Sequence, residues 1–308
     1  DMVCYQEEVR DPSRMAEVLN RVIEKAFRGS APAQINVPRD YWTQVIDIEL
    51  PPIVRFERQG GGKEAIENAA KLLSKAKFPV ILSGAGVVLG GAIDECKKLA
   101  EKLDAPVCNG YQHNDSFPGS HPLAVGPLGY NGSKAAMELI SKADVVLALG
   151  TRLNPFSTLP GYGIDYWPKK ATIIQVDMNP DRIGLTKKVS VGICGDAKQV
   201  AQQILDKLSS DAGNTGREER KNLIHKTKSA WLQTLSGLDH EEDDPGTVWN
   251  KEARERDKDR MSPRQAWRAI QDALPQDAII SSDIGNNCAI GNAYPTFEKP
   301  RKYLAPGL

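Results

Sequence analysis

A chain of 308 residues is long enough for about two domains of ordinary size. Its 40 basic and 40 acidic side chains cancel, so no overall basic field exists to draw in nucleic acid. No apolar run approaches the roughly 20 residues that cross a bilayer. No charged-then-apolar leader precedes the first predicted helix. The five cysteines (Cys4, Cys96, Cys108, Cys194, Cys288) are scattered and lack a CxxC pair, which opposes a disulfide framework and a zinc site alike. The expectation is a soluble, cytoplasmic protein that binds neither nucleic acid nor membrane.

In chain order, apolar residues at Met15, Val18, Leu19, Val22, Ile23 and Phe27 predict a helix over Pro12–Arg28 with Gly29 as its C-cap. A short strand, Ala33–Val37, follows. Pro51-Pro52 and Gly60-Gly-Gly62 bracket a linker. Four apolar runs then stop at a glycine or an acid: Phe78–Leu82 before Ser83-Gly-Ala-Gly86, Val145–Leu149 before Gly150, Thr172–Val176 before Asp177, and Val189–Ile193 before Gly195-Asp196. Each is hydrophobic on both faces, as parallel strands buried between helices are. Helical stretches at Ala92–Leu103, Lys134–Lys142 and Ala197–Leu208 alternate with them. The pattern specifies an open α/β sheet with helices on its faces, a class that binds ligands at the carboxyl ends of its strands.

Beyond that sheet, Ser209–Arg220 is polar, and Leu238–Arg260 is a dense mixture of charge read as a solvated connection. Ser262-Pro263 predicts an N-cap with proline at N1, opening a helix through Leu274. A strand, Ala278–Ser282, and the turn Asp283-Ile-Gly-Asn-Asn287 begin a further α/β domain. The domain reading is therefore 1–58, 59–208, 209–260 and 261–308. The chain opens on Asp1 and stops at Ala305-Pro-Gly-Leu308, in turn-forming residues that close no element, so both ends read as cuts through a longer protein.

Several residue types carry candidate chemistry. Gly84 and Gly86 fit the first two positions of GxGxxG, but the third falls on Leu89, and Ala105–Cys108 runs into Asn109 where that fingerprint expects an acid. The glycines serve equally to turn the strand tightly onto its helix. Asp177 either accepts ribose hydroxyls or caps the turn through Asn179-Pro180. His113, His121, His225 and His240 form no pair with metal-ligand spacing, and no Gly-x-Ser-x-Gly elbow is present. Cys288 is either a thiolate near a helix N-terminus or a packed thiol. Asp283, Gly285, Asn286 and Asn287 are the strongest candidates. A turn of backbone N–H groups with small polar side chains that leads into a helix can hold a phosphate.

Ala31–Asp40, Phe117–Pro122 with Gly126 and Gly129, Ala143–Leu153, Ile174–Pro180 and Met261–Arg264 through Asn287 together resemble the thiamine-diphosphate enzymes of the acetolactate synthase and pyruvate oxidase group. Within it, Gly110–Pro122, Gly129–Ser133 and Thr151–Ser157 look most like the sulfoacetaldehyde acetyltransferase family. The resemblance implies the end of a pyrimidine-binding domain, a central domain, and the start of a diphosphate-binding domain. It also implies conversion of sulfoacetaldehyde and phosphate to acetyl phosphate and sulfite. Thiamine diphosphate would serve as the electron sink, its diphosphate held at Asp283, Gly285, Asn286 and Asn287. No electrons leave for an external acceptor, so FAD is not expected and the glycine turns are read as mainly architectural.

The family's cofactor-activating glutamate is expected before Asp1, and its Gly-Asp-Gly motif for Mg2+ beyond Leu308. No catalytic residue or metal ligand is therefore assigned within the chain, and the chain alone is expected to be inactive. Family sites shared between subunits imply a homo-oligomer. The alternatives are a sibling acetolactate synthase or flavin-dependent pyruvate oxidase, which bound flavin would betray, and a non-catalytic nucleotide-binding α/β module.

Overall fold

The computed structural model describes residues 2–29, 31–50, 52, 57–239 and 260–305. Of the predicted connection Leu238–Arg260, residues 240–259, with His240, lie outside them. The chain divides into two compact units, Asp1–Glu57 and Arg58–Leu308.

In the first unit, β1 (Tyr5–Glu8) pairs in parallel with β2 (Ala33–Asn36), joined through α1 (Met15–Gly29). Helix α1 turns Val18 and Val22 onto a small core around Val9, with Tyr5, Ile35 and Tyr41 packed against it. Phe27, in the same apolar pattern, is exposed.

The second unit is built on a six-stranded sheet. Its elements are α2 (Lys63–Lys75), β3 (Pro79–Ser83), α3 (Ala85–Gly90), α4 (Ile93–Leu103), β4 (Val107–Asn109), β5 (Ala124–Pro127), α5 (Lys134–Ile140), β6 (Val145–Leu149), β7 (Thr172–Asp177), β8 (Val191–Cys194) and α6 (Ala197–Lys207). A long helix, α7 (Arg217–Asp239), follows. All strand pairs are parallel, in the order β5-β4-β3-β6-β7-β8. The order reverses between β3 and β6, the crevice where such sheets open for ligands.

Alternation along the strands separates two cores. Ile81, Leu147, Leu149, Ile174 and Val176 meet α2, α4 and α6 on one face. Val80, Leu82, Val146, Ala148 and Ile173 meet α5 and the start of α7 on the other. Because both faces are covered, β3 and β6 are buried at every position.

The polar stretch after α6 joins this packing. Arg220 is 1% exposed and donates to five backbone carbonyls: Leu103 (2.8 Å) and Asp104 (3.0 Å) at the end of α4, Lys77, Gly213 and Thr215 (2.8 Å). Burial lowers its pKa, yet a guanidinium stays charged in a protein. Here the charge spreads over five carbonyls, two of which, at Leu103 and Asp104, belong to the end of α4 that lacks intrahelical donors. Asp104 closes α4 in the left-handed region (φ 45), and its carboxylate pairs with Arg217.

The final residues add α8 (Pro263–Ala273), β9 (Ile280–Ser281), α9 (Asn286–Ala293) and β10 (Tyr303–Leu304), with β9 and β10 in parallel. Ser262 caps α8 in a full capping box with Gln265, with proline at N1. Among the described residues, no helix is long and apolar enough to cross a membrane.

Candidate functional site

Strand β3 ends at Ser83 and β4 at Asn109, and the loop after β4 folds back over both. Gly110 N–H donates to the Ser83 carbonyl (2.7 Å). The Ser83 and Ser116 hydroxyls each donate to the other's backbone carbonyl (3.0 and 3.1 Å). Asn109 Nδ2 donates to Ser116 Oγ (2.9 Å). These bonds turn Tyr111, Gln112, Asn114 and Asp115 into buried positions and aim them at residues 176 to 188 positions later.

There the loop meets α9. Asn292, 0% exposed, accepts from Gln112 N–H (2.9 Å) and donates to the Tyr130 carbonyl (3.0 Å). Asn114 Nδ2 donates to the Asn292 and Pro295 carbonyls (2.9 and 3.1 Å). Asp115 Oδ2 accepts from Lys302 N–H (3.1 Å), Gly119 N–H donates to the Phe297 carbonyl (2.9 Å), and Ser120 binds the Glu298 carboxylate (2.7 and 2.9 Å). Helix α9 is thus held at Asn292, and the residues that follow it are held by Asp115, Gly119 and Ser120.

Its first two residues are open, and Cys288 is the first buried position of the helix. Gly285 has φ +83, and no atom lies within 4 Å of where a Cβ would be added. Asn286 and Asn287 open the helix with exposed side chains. The first-turn amides of a helix lack intrahelical acceptors and carry its positive dipole end. An anion with several oxygens, such as a diphosphate, therefore fits this turn. Asp283 contributes differently: its Oδ1 accepts from Ile284 N–H (2.7 Å), which orders the turn, and a carboxylate has no proton to donate to a phosphate.

A cavity of about 960 Å³ lies between the carboxyl ends of the two sheets, lined by Leu89, His113, Asp115, Ser282, Asp283 and Tyr303 among others. Burial lowers the pKa of His113, opposed by Asp115 and aided by Arg152, so the imidazole favours its neutral form. Burial pushes the Tyr303 hydroxyl up to about 12. Among the described residues, no group of three or more His, Cys, Asp or Glu side chains is placed to hold a metal.

The remaining candidates resolve into structure. Cys288 is buried against Tyr111 Oη (3.4 Å) and the Gln112 amide, the packed-thiol alternative. Asp177 Oδ1 accepts from Asn179 N–H (2.8 Å), so it caps the turn. His121 pairs with Glu101 (3.3 Å), and His225 is exposed on α7. Gly84 and Gly86 lie backbone to backbone against Gly150. A Cβ on Gly86 would stand 2.7 Å from Gly150 Cα, and one on Gly84 2.6 Å from the Gly150 carbonyl oxygen. Gly86 N–H donates to that same carbonyl (2.8 Å). These glycines let the ends of β3 and β6 pack backbone to backbone. What the sequence did not reveal is the grip of Gln112 and Asn114 on α9 and of Asp115 on Lys302, since their partners are too remote for any spacing to signal.

The central sheet has a known family counterpart. Residues 66–204 match the family described as thiamine pyrophosphate enzyme, central domain, the pyrophosphate being the same cofactor as the diphosphate. All 308 residues are 79% identical to a probable sulfoacetaldehyde acetyltransferase of Rhizobium meliloti, covering 52% of that protein. They are 78% identical to a sulfoacetaldehyde acetyltransferase of Roseovarius nubinhibens, covering 51% of it. The chain spans about half the length of these curated relatives. The fold is similar to a crystal structure of benzoylformate decarboxylase from Polynucleobacter necessarius, with a TM-score of 0.69, 17% identity, 98% of this chain and 51% of that chain covered.

Proposed function

Since residues 66–204 match the central domain of the thiamine pyrophosphate enzymes, we propose that the protein converts sulfoacetaldehyde and phosphate to acetyl phosphate and sulfite. The observation that carries this reading is identity of 78–79% along every residue of the chain to proteins named for that activity. The loops after β4 and β6, which bear the family resemblance, fall inside the matched span.

Thiamine diphosphate supplies a carbon nucleophile and an electron sink that no side chain provides. The protein's part is to hold and orient. Gly285 lets the diphosphate approach the backbone, and the Asn286 and Asn287 amides donate to its oxygens. Asp283 keeps the turn in shape through Ile284. Mg2+ belongs to the proposal as the partner of the diphosphate, with ligands beyond Leu308. The reaction is balanced internally. Sulfite departs with the electron pair of its carbon–sulfur bond, the aldehyde carbon rises to the acyl level, and phosphate accepts the acetyl group. No flavin is required, and the glycine packing between β3 and β6 agrees with an architectural role there. A cytoplasmic homo-oligomer acting in sulfonate breakdown completes the reading.

The test uses protein expressed from the full reading frame that contains this chain. Supplied with sulfoacetaldehyde, phosphate, Mg2+ and thiamine diphosphate, it should release sulfite and form acetyl phosphate in equal amounts, and omission of thiamine diphosphate should abolish both. Acetolactate formed from pyruvate in place of these products, or flavin absorbance in the purified protein, would contradict the assignment.

A further inference from the structure

We propose that Asn292 is a positioning residue for the cofactor turn, and that the loops Gly110–Ser116 and Gly129–Ser133 of the central sheet set the pitch of α9 through it. The inference rests on the thiamine-diphosphate reading above.

Asn292 is the last polar residue of α9 and has no exposed surface. Its amide spans two separate loops, accepting from Gln112 N–H (2.9 Å) and donating to the Tyr130 carbonyl (3.0 Å). The two bonds therefore tie one buried position of the helix to two loops at once. Asn114 reinforces the grip by donating to the Asn292 and Pro295 backbone carbonyls. Toward the other end, Cys288 packs against Tyr111 Oη (3.4 Å) and the Gln112 amide, beyond which Gly285 faces open space and Asn286 and Asn287 are exposed. A short rod held from Cys288 through Asn292 transmits the orientation of that stretch to its exposed tip. The tip is the turn assigned to the diphosphate, seven residues from Asn292 at Gly285 in the numbering of the chain. A buried amide that bridges two loops is also costly to leave half-satisfied, so its geometry is sharply specified.

The test measures binding as well as turnover. With protein from the full reading frame and saturating Mg2+, calorimetric titration of thiamine diphosphate gives the dissociation constant for wild type, Asn292→Ala and Arg220→Lys. Asn292→Ala should weaken cofactor binding about tenfold while kcat at saturating cofactor stays within about twofold. Amides of 286–290 should exchange hydrogen faster. Arg220→Lys, remote from α9, should lower stability and leave the dissociation constant within about twofold. If Asn292→Ala does not fold, Asn114→Ala removes the reinforcing donor and should shift binding in the same direction. An unchanged dissociation constant, or one raised equally by Arg220→Lys, overturns the proposal. A wild-type protein that binds no thiamine diphosphate overturns the underlying function instead.

Discussion

Replacing Arg220 by methionine is expected to cost about 3–5 kcal/mol of stability, because one side chain of similar length then leaves five carbonyls without their donor. The loss is polar more than steric, since methionine fills much of the same space. Arg220→Lys keeps the charge but offers three donors from one point, where the guanidinium offers five in a plane. It should lose less, about 2 kcal/mol. Urea denaturation measures both. The same clasp predicts where the central fold can be cut. A piece covering 58–239 retains Arg220 and should unfold cooperatively, whereas one covering 58–208 lacks it and should melt at lower temperature. Equal melting of the two pieces, or a loss under about 1 kcal/mol in Arg220→Met, would show that the carbonyls are satisfied some other way.

Gly129→Ala should be comparably damaging, for a steric reason. Gly129 has φ +87, and an added Cβ would overlap the Phe156 carbonyl oxygen and lie 2.8 Å from both Phe156 C and Ser157 Cα. The loop cannot retreat freely, because Tyr130 N–H donates to that same oxygen (3.1 Å) and the Tyr130 carbonyl accepts from Asn292 (3.0 Å). Left-handed strain and overpacking together should cost about 3–5 kcal/mol. Gly163→Ala separates the two contributions. Gly163 has φ +70 but nothing within 4 Å of an added Cβ, so only the backbone strain of about 1–2 kcal/mol remains. Equal losses at the two positions would mean that the Phe156 contact yields without cost.

The sheet was largely legible because burial on both faces writes itself as unbroken apolar runs. The runs Phe78–Leu82, Val145–Leu149 and Thr172–Val176 became β3, β6 and β7 with shifts of at most one residue at either end, and Val189–Ile193 became β8 at Val191–Cys194. Strand β5 was not foreseen, since Ala124-Val-Gly-Pro127 carries turn residues and survives at the sheet edge. Strand β1 was missed for a different reason: Tyr5-Gln-Glu-Glu8 is polar and half-exposed, held by its register with β2. Arg220 was hidden in a stretch whose composition reads as surface. Its burial depends on carbonyls supplied by three other segments, which no local pattern encodes. For the same reason the turn Asp283–Asn287 was visible as a candidate, while Asn114 and Asn292, which hold the helix behind it, were not.

The most direct measurement is a titration of thiamine diphosphate against wild type, Gly285→Val and Asn287→Ala, each from the full reading frame with Mg2+ in excess. Valine at φ +83 is strained and crowds the backbone where the diphosphate must approach, and alanine at 287 removes one donor amide. If the turn holds the diphosphate, each loss should cost about 1–3 kcal/mol of binding, roughly a 5- to 150-fold higher cofactor requirement, in proteins that remain folded by circular dichroism. Cofactor affinity unchanged in both variants would contradict the account and leave Asp283–Asn287 as a structural connection.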